Sequence, residues 1–293
     1  MNADGDNGRH WFFPFAVLIA AIVACALILW GGSLLAGRAI SAVSGGAPPR
    51  PAIDETIAPI IIFGLLLVAG LGGGALCGLN AAQPGQKAGL RLLEGGGIGL
   101  VGFLIATALA GIAGVLHRAD GGTSAGMFLW FTALIVLQSG SEEVFFRGWL
   151  QPILVRAWGV AGILTTAVTF AALHLMGGAN SVVSVLNMFL GGLLFGLLAA
   201  RYGGIAAAVA AHFAWNWAEQ LLFGLYPNPG NGSFGSILNL DLAGSSWWGG
   251  SAEGLNASIG MTFALAILLA PLLIVPARDS LQPGPYRSGR APA

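Results

Sequence analysis

GMFLWFTALIVLQSGSEEVFFRGWLQPILV, residues 126–155, is a nearly unbroken apolar run that carries Glu142, Glu143 and Arg147 in its interior. A hydrocarbon core about 30 Å thick is crossed by about 20 helical residues, so this run outlasts one straight crossing. Pro152 is expected to kink it and lay its end along the membrane interface. Each charge at membrane depth costs roughly 2.5–3.5 kcal/mol unless it is paired or wet, so charges kept there point to a function.

Outward from this run, further apolar stretches predict helices at about 12–36, 57–80, 96–116, 160–178, 181–200, 204–225 and 257–277. The chain is 56% hydrophobic and 8% charged, with a mean hydropathy of +0.81. Together these read as an all-α, polytopic membrane protein of about eight transmembrane helices, and a soluble protein is excluded. Residues 1–124 form an N-terminal region with three spans and 125–225 a central region. Residues 226–256 form a loop, and 257–293 hold the last span and a tail.

Orientation follows from the basic residues, which favour the cytoplasmic side. With eight spans both termini share a side. That side holds Arg9, Lys87, Arg91, Arg156, Arg201, Arg278, Arg287 and Arg290, against Arg38, Arg50 and Arg118 on the other. Both termini are therefore expected in the cytoplasm of what reads as a bacterial cytoplasmic membrane. The loop 226–256 has no Lys or Arg, is placed outside, and is expected to seat Trp247 and Trp248 at the outer interface. The Pro-, Gly- and Arg-rich tail after Pro276 reads as a disordered cytoplasmic end. Ile22-Val23-Ala24-Cys25 resembles a lipoprotein cleavage box, but Asp4 and Asp6 precede the run and it continues apolar through Trp30, so it is read as a retained span.

Several function classes fall away. Net charge is zero and the basic residues are scattered, so no nucleic-acid partner is indicated. Gly97-Ile98-Gly99-Leu100-Val101-Gly102 satisfies a dinucleotide fingerprint formally, yet no strand precedes it and it runs on into a span. Its glycines, like Gly192 and Gly196, are read as close-approach positions between helices, and no nucleotide is expected. Cys25 and Cys77 lie in apolar spans and read as small buried hydrophobes rather than a disulfide.

Helical geometry specifies the chemistry further. At about 100° per residue, Glu142 and Glu143 project in different directions. Glu143 and Arg147 are four apart with the acid N-terminal, the favourable order for an ion pair. Glu142 is left as the carboxylate without an intrahelical partner, suited to act as a base. His174 follows Phe170 by four residues, so its ring can pack on that aromatic; His212 and Asn216 share a face of another helix.

The ordered triple Glu142-Glu143-Val144-Phe145-Phe146-Arg147, Phe170-Ala171-Ala172-Leu173-His174 and His212-Phe213-Ala214-Trp215-Asn216 resembles the three motifs of the CPBP family of intramembrane proteases. That family comprises type II CAAX prenyl proteases and Abi or lysostaphin-resistance-like proteins. The resemblance spans about residues 125–225, with no departure at the motif positions. It implies endopeptidase activity on a peptide or membrane-protein substrate within the bilayer. Glu142 and His174 would activate water and His212 and Asn216 would hold the oxyanion, with Glu143, Arg147 and Phe170 as structural support. No cofactor is favoured. Zn²⁺ on Glu142, His174 and His212 is the mechanistic alternative, although the histidines do not share one helix and Asn216 suits an oxyanion better than zinc. The second function class is a non-enzymatic transporter or bacteriocin-immunity-type binding protein using the same cluster. Asn216 beside His212 favours the protease, since a proton relay has no use for a carboxamide.

Overall fold

The computed structural model describes residues 7–45, 47, 51–178, 180–225 and 234–274. The tail after Pro276, Arg50 and part of the 226–256 loop lie outside the described residues, as do the side chains of Arg9 and His10. Among the described residues, eight helical rods follow one another in the order of the apolar runs. They are α1 (Asn7–Ser44), α2 (Pro51–Leu76), α3 (Ala88–Ile112), α4 (Ala125–Glu143) continued into α5 (Gln151–Trp158), α6 (Val160–His174), α7 (Val182–Tyr202), α8 (Ala206–Trp217) and α9 (Ile259–Ile274). Five of these, α1, α2, α3, α6 with its following turn, and α7, are long and apolar enough to cross a membrane. Large apolar side chains such as Phe12, Ile19, Leu93 and Val168 point outward, as a lipid environment requires. The protein is an all-α membrane protein.

The ends of the rods follow local chemistry. Ser124 and Ser181 cap α4 and α7 by accepting from the backbone N–H of Met127 and Ser184. Gly159, with φ 58°, breaks α5 from α6, and Gly203, with φ 65°, stops α7, since only glycine takes such angles without strain.

Three features depart from the sequence expectations. The long fourth rod is re-phased by a π-helical turn over Val144–Leu150, ahead of Pro152, which sits near the start of α5. A proline without an N–H is accommodated at a helix's first positions, so the irregularity falls before it. A second π-turn, Ala218–Phe223, continues α8. The third is a short antiparallel ribbon, β1 (Leu116–Arg118) with β2 (Leu240–Leu242), which ties the α3–α4 connection to the 226–256 loop. In that loop Trp247 is exposed, whereas Trp248 is half-buried and packs against the core that includes Leu255 and Met261.

Small residues decide how closely the rods approach. On α3, a Cβ at Gly95 or Gly99 would run into the carbonyls of Ala207 and Ala211 on α8, so the two backbones touch along a seam. A Cβ on Gly97 would meet nothing within 4 Å. The fingerprint-like stretch is thus a packing surface with a different phase from the one its pattern suggests. Gly99→Val is expected to lower thermal stability of the detergent-purified protein by about 1–3 kcal/mol or more, with Gly97→Val close to neutral. Equal effects would remove the seam from the account. On α2, a Cβ at Gly70 would lie 2.9 Å from the Phe145 backbone, and one at Gly73 would collide with the Trp149 ring, so α2 backs the first π-turn.

Candidate active site

Glu142 and Glu143 end α4, and the π-turn that follows places Arg147 within the protein rather than on its surface. Single-turn π-segments concentrate at functional sites, where the extra residue re-aims side chains. Arg147 Nη1 donates to Glu143 Oε1 at 2.9 Å with both side chains fully buried, so the expected pair forms. Its Nη2 donates to the Gly192 carbonyl at 2.8 Å. One turn on, Gln151 Nε2 donates to the Gly196 carbonyl at 2.9 Å. Residues 147 and 151 therefore grip 192 and 196 as two rungs between the π-turn region and α7. The guanidinium lies over the Phe170 ring at 4.7 Å and also faces Phe195 and Phe146.

Glu143 does more than its spacing promised. The same Oε1 is 2.8 Å from His212 Nδ1, a partner 69 positions away. The His212 ring is stacked on Phe195, with centroids 4.7 Å apart and planes 14° apart. His174 is held as expected against Phe170, centroids 4.3 Å apart, and its Nδ1 lies 2.7 Å from the Phe170 carbonyl oxygen. Both Nδ1 atoms face oxygens that only accept, so each carries the hydrogen and Nε2 is left for other chemistry. Asn216 Nδ2 is 3.5 Å from Ser139 Oγ, at the outer limit of a hydrogen bond.

Glu142, His174, His212 and Asn216 line one cavity of about 490 Å³. Glu142 is 6% exposed, and its Oε2 has no hydrogen-bond partner; Glu143 also leaves its Oε2 unpartnered, but its Oε1 engages both Arg147 and His212. Cys25, Ile28 and Leu66 of α1 and α2 supply apolar lining, so these helices wall the cavity while α3 buttresses α8 behind it. Among the described residues, no three His, Cys, Asp or Glu side chains converge as a metal ion's ligands. The Glu142, His174 and His212 set named for zinc shares the cavity without forming such a cluster.

Residues 124–218 match the family model described as type II CAAX prenyl endopeptidase Rce1-like. This stretch is similar to the CAAX-protease family. The match begins at the Ser124 cap of α4 and contains all three motifs; no curated protein matches the chain. The matching segment thus supplies Glu142, His174, His212 and Asn216 to the cavity, and residues outside it complete the lining.

Sequence reading missed four participants. Phe195 gave no signal, being one more aromatic in an apolar run. Gln151 could have been found as a polar residue one turn beyond Arg147. Glu219, 2% exposed, lines the same cavity from the second π-turn. It follows Asn216 by three residues as Asn216 follows His212 by four, a helical-face spacing in which a carboxylate inside an apolar run was the cue. Glu253, in the 226–256 loop, accepts from the backbone N–H groups of Asn180 and Ser181 at 3.1 and 3.0 Å and brings the loop to the cavity's rim.

Proposed function

We propose that the chain is an intramembrane endopeptidase that hydrolyses a peptide bond with water activated by Glu142 and His174. The observation that carries this reading is that the unpartnered Glu142 carboxylate, both histidines and Asn216 open onto one largely apolar cavity within the segment matching the protease family. Glu142 accepts a proton from water as it attacks the scissile carbonyl, and hands that proton to the amine nitrogen as the tetrahedral intermediate collapses and the C–N bond breaks. His174, hydrogen-bearing at Nδ1, has Nε2 available to orient that water or take its proton. The developing oxyanion is met by Asn216 Nδ2 and His212 Nε2. For Nε2 to donate, the His212 ring must carry both hydrogens, and Glu143 is placed to balance that charge. A donor of this kind is worth about 100- to 1,000-fold in rate in a low-dielectric pocket.

The metal-free form of the mechanism is supported by the lack of a converging three-ligand set among the described residues and by Asn216, which a zinc site would leave without a role. The same Nδ1 engagement of both histidines is also how zinc-bound imidazoles are oriented, so chelation is the deciding experiment. Exhaustive chelation of the purified protein is expected to leave cleavage intact. Loss of activity restored by Zn²⁺ would assign the alternative. To test proteolysis itself, new N-termini are mapped in membranes of cells producing the wild type or His174→Ala. The expected result is a set of cuts present only with the wild type. Identical maps would favour the transporter or immunity-type reading.

A further inference from the structure

Glu143 is held by Arg147 and His212, and Glu253 by two backbone amides. Glu142 is the proposed base. Glu219 is more than nine-tenths buried, and its Oε1 lacks any hydrogen-bond partner. It lies one residue beyond the family match, and the reaction described above makes no use of it. It nevertheless borders the cavity, on the helix face already occupied by His212 and Asn216.

The charge of the cavity says what such a group would meet. Glu142, Glu219 and Glu253 contribute to its lining, and no Lys or Arg does so among the described residues. Arg147, the cation of the first motif, does not line the cavity and is held by Glu143 and the Gly192 carbonyl. A desolvated carboxylate in such a place is stabilised by a cation that arrives with the ligand.

We propose that Glu219 is a specificity subsite that receives a lysine or arginine side chain of the peptide substrate. This rests on the protease reading of the same cavity. The helical rise places Glu219 about 10 Å along the axis from His212, seven residues at about 1.5 Å each. An extended peptide advances about 3.3 Å per residue. The basic residue therefore falls about three residues from the cleaved bond, on one side of it.

The test uses purified full-length protein and a peptide library made by cutting a cell proteome at methionine, so that Lys, Arg, Asp and Glu all remain internal. Cleavage sites are mapped for the wild type, Glu219→Gln and Glu219→Lys, with Glu142→Gln as the blank. Wild-type sites are expected to be enriched in Lys or Arg at one position within about three residues of the cut. That enrichment should fall about tenfold in Glu219→Gln and give way to Asp or Glu in Glu219→Lys. Wild-type sites without basic enrichment overturn the subsite even if both variants fail to fold, as does an enrichment that survives both substitutions. Cuts absent from the wild type, or equally present in the Glu142→Gln blank, would instead remove the protease reading on which the subsite depends.

Discussion

Glu142→Gln is expected to lower proteolysis by about 100-fold or more while the protein stays folded, which is the usual range for a lost general base. The amide keeps the shape of the side chain but cannot take a proton from water. Stability should hold because the Glu142 Oε2 makes no hydrogen bond that the substitution would break. Cleavage within about tenfold of wild type, measured on any peptide the wild type cuts, would end the assignment of Glu142 as the base. A variant that is inactive because it has unfolded would be recognised by its thermal transition and would place Glu142 among the structural residues instead.

The neighbouring glutamate should behave differently. Glu143→Gln leaves Arg147 buried without its counter-charge and His212 without a carboxylate at Nδ1. Breaking a buried pair by removing one partner costs about 3–5 kcal/mol, so the variant is expected to unfold at markedly lower temperature and to lose turnover as well. The two losses can be separated. In Glu143→Gln/Arg147→Met the stranded charge is gone and an apolar side chain faces Phe170, Phe195 and Phe146, so stability should largely return. Activity should not, because His212 still lacks the group that orients it. Recovery of both together would mean that Glu143 serves the fold alone. Stability intact and activity lost in the single variant would exchange the roles of the two glutamates.

Much of this was legible before any coordinates. The apolar runs located the rods, with ends displaced by up to eight residues, because membrane-depth helices must satisfy their backbones internally and so announce themselves by length and composition. Pairs four apart on one helix, Glu143 with Arg147 and Phe170 with His174, were readable for the same reason: helical spacing fixes neighbours. What spacing cannot reach is a partner on another rod. The contact of His212 with Glu143 joins residues 69 apart, and the stack of Phe195 on His212 joins two helices whose register no local pattern sets. The π-turns were equally invisible, since one inserted residue changes phase without changing composition. Glu219 is a different case. Its cue was present, a charge in an apolar run on the His212 face, and it lies just outside the motifs that drew attention.

The seam between α3 and α8 bears on how such a protein can diversify. Ala207 and Ala211 meet Gly95 and Gly99 backbone to backbone, and Ala211 immediately precedes His212. His212 and Asn216 are therefore located by main chain, which exchange of neighbouring side chains leaves in place. Lining residues such as Ile28 and Leu66 belong to α1 and α2, away from that seam, and can change without moving it. A lineage can then reshape the chamber around new peptides by changing a few aliphatic side chains while inheriting its reacting groups in fixed positions.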